Sequence, residues 1–331
     1  MLIDVKSLEV FLCYTELHKQ VIKRTMTKPL IAVIGFFLPM LSFSQERQAI
    51  TTFEQAMKDP TSVRRLVLDC EEASKIDGKV EALLNLQALT LKGCDLENLP
   101  KGVEKIKNLG LLNVQDNQLT TLPKELDQLE KLSVINLRNN NLKKLPEVMT
   151  SLPSLREVDL AFNVEMNLTD VVGDLASIAK LDFLYLNGNE ITEVPKEIGS
   201  LSALQELHLS ENPDMDLASC FQVLSKAESL KILVLAQNQI SDLPEEVKLM
   251  QQLEGLVLDK NADLNMEVFA NRLSELANLK VLLCRNNKLT ALPESLESFK
   301  GLAVLELSGN NFSEEEQARI QTALSATKVI F

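Results

Sequence analysis

The amino-acid sequence predicts an α/β solenoid: about eleven short strand–turn–helix units stacked so that their strands form one parallel, concave sheet. Two observations carry this prediction. The segment Leu109–Lys131 orders its apolar residues as L-x-x-L-x-V-x-x-N-x-L-x-x-L-P-x-x-L-x-x-L, and the next 23 residues, 132–154, repeat that order with Asn140 and Leu145-Pro146 in the same slots. The same frame starts at Val63, Leu86, Leu109, Leu132, Leu155, Leu181, Leu204, Leu230, Leu253, Leu279 and Leu302, in steps of 23 or 26 residues. At 331 residues the chain is long enough for two domains, but a linear stack needs no such split.

Each slot has a physical job. In Leu109–Lys131, Leu112 and Val114 stand two apart, so both project to one face of a short strand. Asn117 ends that strand, and its buried amide can donate to and accept from turn backbone that has no sheet partner. Repeated in successive units, it makes an asparagine ladder. Leu119 and Leu122 turn back into the core, Pro123 sets a turn, and Leu126, Leu129 and Leu132 suit a short helical or 3₁₀ segment. Strands stack about 4.8 Å apart whereas helices need roughly 10 Å, so the stack bends with its strands inside.

This spacing resembles the leucine-rich repeat family, in the variant with a Leu-Pro step after the Asn turn. The resemblance implies a horseshoe with short helices or 3₁₀ turns on its convex side, caps at both ends, and a role in binding rather than catalysis.

Along the chain, residues 1–44 stand outside the repeats. Lys28 follows Met26, an apolar run fills 29–41, and Ser42 and Ser44 occupy the −3 and −1 positions of a cleavage site; this predicts a secretory signal peptide over 26–44. The run is short for a bilayer span, and an uncleaved signal anchor or a buried terminal helix are the competing readings. Residues 1–25 lie oddly upstream of such a signal, so the expected start of translation is Met26. No Cys follows the apolar run, so a lipid anchor is not indicated. Residues 45–62 read as a helical cap, with Phe53, Met57 and Ile50 on its apolar face and Pro60 as a stop.

From Leu155 onward, long and short repeats alternate, a duplicated unit of 49 residues. The long forms share a phrase, at Asn163–Leu168, Asn212–Leu217 and Asn261–Met266, and they replace the Leu-Pro step with a longer helical pattern. Their acids Glu165, Asp214, Asp216 and Asp263 suit helix N-caps better than calcium. The first two repeats carry Glu71 and Cys94 in the Asn slot, which predicts a looser first turn. At the C-terminal end, Ser313 and Glu316 form a capping-box pattern, followed by a helix to about Ala323 and a closing strand over 327–331.

Composition narrows the function. A net charge of −13 argues against a nucleic-acid surface. No G-x-x-x-x-G-K loop or G-x-S-x-G elbow is present, and beyond residue 44 the chain holds one His, His208, and one Tyr, Tyr185. This composition predicts no enzyme, no cofactor and no metal site. Cys220 and Cys284 fall on core positions, and no Cys pair has zinc spacing. Cys70 and Cys94 alone are close enough in register to consider a disulfide, which an exported protein could form, although Cys70 is expected to point a different way.

The concave positions are dictated neither by folding nor by the Leu pattern, so unusual choices there carry information. Tyr185 and His208 fall at the same level of adjacent strands, with Phe183, Glu157, Asp159 and Glu206 around them. Ile232, Val234, Val257, Val281 and Leu283 continue this face as an expected exposed aliphatic strip. An aromatic anchor beside acids and an apolar strip suits a protein or peptide with a basic segment. Strand propensity alone accounts for single residues such as Ile232 or Val257. An exported interaction module is the leading expectation, periplasmic, cell-surface or secreted. A glycan- or envelope-binding protein is the alternative, or an intracellular signalling scaffold if the leader is not cleaved.

Overall fold

A computed structural model describes residues 49–331; the expected signal peptide and the upstream segment lie outside the described residues. The repeats form one twelve-stranded parallel sheet whose strands follow chain order without a crossover. Its strands are β1 (Arg65–Leu68), β2 (Ala88–Leu91), β3 (Leu111–Asn113), β4 (Val134–Asn136), β5 (Glu157–Asp159) and β6 (Phe183–Tyr185). They continue as β7 (Glu206–His208), β8 (Ile232–Val234), β9 (Gly255–Val257), β10 (Val281–Leu283), β11 (Val304–Glu306) and β12 (Lys328–Ile330). The first eleven belong to the eleven expected repeats, and β12 is the closing strand, parallel to β11.

The pattern of apolar slots explains the layers. Leu112, Ile135, Val158, Leu184 and Leu207, at the centres of five successive strands, are fully buried in one continuous core. On the far side of that core, Pro123, Pro146, Pro195 and Pro244 each N-cap a five-residue 3₁₀ segment, where the fixed proline φ starts the turn and no N–H is missed. The long repeats carry eight-residue α-helices instead, Leu168–Leu175, Leu217–Leu224 and Met266–Leu273. Their N-caps are Asn167, Asp216 and Asn265, so Asp216 is the only one of the four expected acids to cap a helix. Glu165 pairs with Lys143 at 2.8 Å instead, because it precedes the cap residue by two positions.

The asparagine ladder forms as the spacing predicts. Nδ2 of Asn212 donates to the Leu186, Leu209 and Ser210 carbonyls at 3.0–3.2 Å, while its Oδ1 accepts from the Asn189 and Ile191 N–H groups at 3.0 Å. Asn163 and Asn261 are bound in similar ways, and all three are buried. The residue before the Asn takes a left-handed φ in every repeat from Gly93 to Gly309, including Asp116, Asn139, Phe162 and Glu211. This turns the chain away from the sheet.

The ends differ in detail from expectation. The N-terminal helix is Phe53–Lys58, buried through Phe53 and Ala56, while Met57 is exposed. Ile50 bridges to Leu66 in parallel, so it extends the sheet rather than the helix. Residues 49–62 thus bury a shorter face than an apolar helix pattern suggests, because the chain before Phe53 is extended. Glu71 sits in a short helix, Cys70–Ala73, capped by Asp69, which takes the place of the first ladder turn. At the other end Ser313 Oγ accepts from Glu316 N at 3.2 Å, but Glu316 does not return the contact to the Ser313 backbone. Its carboxylate accepts from Leu292 N at 2.9 Å and pairs with Arg319, tying the cap to the preceding repeat.

Candidate functional site

Alternation along three-residue strands fixes which side chains face inward from the sheet. The central residue of each strand enters the core, so the residues on either side form two parallel rows across the concave face. Register puts Glu157, Phe183 and Glu206 side by side in one row, and Asp159, Tyr185 and His208 in the next. The expected meeting of the Tyr and the His therefore takes place on β5–β7. Their rings stack with centroids 4.2 Å apart and planes inclined by 28°.

Each ring reaches a glutamate. The Tyr185 hydroxyl donates to Glu157 Oε1 over a long 3.3 Å, and His208 Nε2 lies 2.6 Å from Glu206 Oε1. Among the described residues, the other oxygens, Glu157 Oε2 and Glu206 Oε2, have no hydrogen-bond partner, although each residue is only 1% exposed. Unpaired buried acceptors are costly, and a charged one more so. Burial pushes the Glu157 carboxyl up to about 8, with the nearby Glu206 and Asp159 adding to the effect against the Tyr185 bond. Asp159 is also raised by burial, although it accepts from Ala161 N at 3.0 Å and lies near Arg138. The Tyr185 hydroxyl is raised well above its ordinary value by burial and by the three surrounding carboxylates.

Beyond β7 the concave face changes character and departs from expectation. Ile232, Val234, Val257 and Val281 are buried, and only Leu283 is half-exposed. Strands about 4.8 Å apart bring same-row side chains into contact, so each aliphatic residue covers its neighbour. Ile232 leans over Gly255, where an added Cβ would sit 3.3 Å from its Cγ1. The strip is a packed apolar floor rather than an exposed patch.

Some contacts were not anticipated. Phe162, at the rim beside Asp159, holds a left-handed φ of 57° that a bulky residue seldom adopts, and the Arg138 guanidinium lies 4.1 Å over its ring. An added Cβ at Gly188, in the next turn, would run into that ring. Arg285 makes a buried ion pair with Asp259 at 2.5 Å. Opposite charges at equivalent slots of adjacent repeats were the available signal for that pair. Among the described residues, no group of three or more His, Cys, Asp or Glu could hold a metal ion. No helix among them is long and apolar enough to cross a membrane.

The cysteines need one correction. Cys70 does not point away: its Sγ donates to the carbonyl of Gly93 at 2.7 Å, and it stands within hydrogen-bonding reach of the Cys94 thiol. The short helix beginning at Cys70 swings it toward the second repeat. Both thiols are free, and burial pushes that of Cys94 up to about 12. Cys220 and Cys284 are buried core residues, as their slots predict.

The repeats match two family models, a leucine-rich repeat region over residues 168–329 and a leucine rich repeat over residues 107–164. The chain belongs to the leucine-rich repeat family. Leucine-rich repeat domains are generally non-catalytic and commonly bind proteins, which gives the broad class of function. Among solved structures, a leucine-rich repeat protein of Leptospira interrogans is similar at 23% identity, covering 86% of this chain and 100% of its own, with a TM-score of 0.36. An internalin (inlF) from Listeria monocytogenes is 22% identical over 82% of this chain and 88% of its own, TM-score 0.47. Internalin C2 of the same organism is 27% identical over 62% and 83%, TM-score 0.46. No curated protein matches the chain significantly.

Proposed function

We propose that this leucine-rich repeat protein is an exported, non-catalytic interaction module that takes a protein or peptide segment on its concave sheet, centred on Tyr185 and His208. One observation carries the reading. Among the described residues, Glu157 and Glu206 are buried with an unpartnered oxygen each, in slots where other repeats place Val134, Ile232 or Val281. Folding gains nothing from those carboxylates, so their presence points to recognition. Half-buried Tyr185 and His208 supply amphipathic rings beside them, and the aliphatic floor from Ile232 to Leu283 continues the same face. The surplus of acid there favours a partner segment carrying basic residues.

Export rests on the apolar run over 29–41 and its small-residue cleavage pattern. Mass measurement of the protein from its source cell is expected to give a mature chain beginning at Gln45. A chain that retains the leader would instead favour an intracellular scaffold. For binding, the immobilised protein is compared with a Tyr185→Ala/His208→Ala variant of equal thermal stability against extracts of the source cell's surroundings. A defined partner is expected on the parent and lost from the variant. Equal retention by both would remove the site from β5–β7. Saturable binding of a soluble oligosaccharide, with no protein held, would favour the glycan reading.

A further inference from the structure

We infer that the anchor taken by this concave site is an arginine side chain, its guanidinium received by Glu157 Oε2 and Glu206 Oε2 beside the stacked Tyr185 and His208 rings. The inference rests on the concave-face reading above and names its chemistry. Once ionised, the two unpartnered oxygens can only accept, so whatever satisfies them in that state must donate. They belong to strands that flank β6, with Phe183 between them as an apolar floor. A planar guanidinium presents several donors in a fixed fork and can serve two carboxylates at once, whereas an ammonium acts as a point charge. Its faces also stack on aromatic rings, and the Tyr185–His208 pair offers them. The protein already uses this motif at its own rim, where Arg138 lies over Phe162.

Acids outnumber cations around the site. Glu157 and Asp159 come from β5, Tyr185 from β6, and Glu206 and His208 from β7, while Arg138 and Asp116 act on Asp159 from the preceding turns. Entry displaces the Tyr185 hydroxyl from Glu157, a contact already long at 3.3 Å against the roughly 2.7–2.8 Å of an ordinary hydroxyl bond. Because Glu157 keeps its proton up to about 8, receiving a cation requires that proton to leave. Binding therefore tightens as pH rises toward 8, by at most about tenfold per pH unit, and releases a proton.

The test is an NMR titration of the full chain with N-acetyl-arginine amide, using N-acetyl-citrulline amide as the uncharged isostere and N-acetyl-lysine amide as the alternative cation. Glutamate carboxyl signals are assigned with Glu157→Gln and Glu206→Gln. Arginine is expected to shift the Glu157 and Glu206 signals saturably, at least tenfold more tightly than lysine or citrulline, and more tightly at pH 8 than at pH 6. The shift is lost in the Glu157→Gln/Glu206→Gln variant, which replaces charge without changing shape and so is expected to fold. No arginine shift at these carboxylates, equal binding of citrulline, or binding retained by the double variant would overturn the inference. A partner captured by the parent, lost from Tyr185→Ala/His208→Ala yet held by the double Gln variant, would sink the arginine anchor while leaving the concave-face reading in place. A partner held equally by the parent and the Tyr185→Ala/His208→Ala variant would remove both.

Discussion

The asparagine ladder and the acid cluster are two buried polar systems built into the same three repeats, and they are finished in opposite ways. Asn163, Asn189 and Asn212 lie a few residues beyond Glu157, Tyr185 and Glu206 on the same passes of the chain. Asn212 exchanges five hydrogen bonds with main-chain groups, leaving neither end of its amide free. Among the described residues, Glu157 and Glu206 make one hydrogen-bonding contact each and leave an oxygen buried without a partner. A satisfied buried network stabilises a fold and fixes its register, whereas a half-satisfied one weakens it. The difference separates what the solenoid needs in order to stand from what it holds in readiness for something else.

That contrast can be broken most forcefully at the ladder. Asn212→Ala strips the Asn189 and Ile191 N–H groups of their acceptor and the Leu186 carbonyl of its donor, while the Leu209 and Ser210 carbonyls keep Asn238 Nδ2 and Gly188 N. With roughly 1–3 kcal/mol for each buried group left unmade, a loss of at least about 3 kcal/mol is expected in urea unfolding. A loss below about 1 kcal/mol would mean that water replaces the amide and that the ladder is not the stabilising system.

At the cluster the sign reverses. Glu157 has a folded-state value of about 8 against an ordinary 4.5, so in that window the folded chain binds a proton that the unfolded chain has released. Its contribution to stability is most favourable below about pH 4.5, declines as pH rises, and reaches its full penalty above about 8. Glu157→Gln keeps the shape and removes the titration. It is expected to stabilise by about 2 kcal/mol at pH 9 and by little at pH 4, measured as the difference in unfolding free energy across that range. A variant that loses stability at pH 9 would show that the carboxylate is held by the fold, and the contrast with the ladder would collapse.

The two systems were unequally legible in the sequence. The ladder was plain because it is periodic: Asn117, Asn140 and their successors recur in one slot, and local backbone geometry repeats with them. The rows of the concave sheet were legible too, since period-two alternation fixes their direction, and Tyr185 beside His208 followed from counting. What could not be read was packing between neighbours. Ile232, Val234, Val257 and Val281 were expected to face solvent, but strand spacing lets them cover one another. The orphaned oxygens of Glu157 and Glu206 are likewise invisible in a residue string, because they depend on which oxygen a neighbouring ring reaches. The capping box at Ser313 was half right for the same reason: Glu316 had a better partner in Leu292, on another repeat.

The smallest effect sharpens the comparison at the ladder's open end. Asn117 Oδ1 accepts from Cys94 N and Leu96 N, so the ladder reaches the second repeat, but the next rung is a thiol. Cys94 Sγ donates to Lys92 O at 3.2 Å, where an Asn in that slot would also address the Leu91 carbonyl and the first repeat. Cys94→Asn therefore extends the satisfied network by one rung and is expected to add about 0.5–1 kcal/mol, read as a small rise in the thermal midpoint. Loss of stability would mean that the room is already taken by Cys70, whose thiol lies beside Cys94 and binds the Gly93 carbonyl. In that case the short helix Cys70–Ala73 closes this end of the stack in place of an asparagine, and the ladder stops where its partners do.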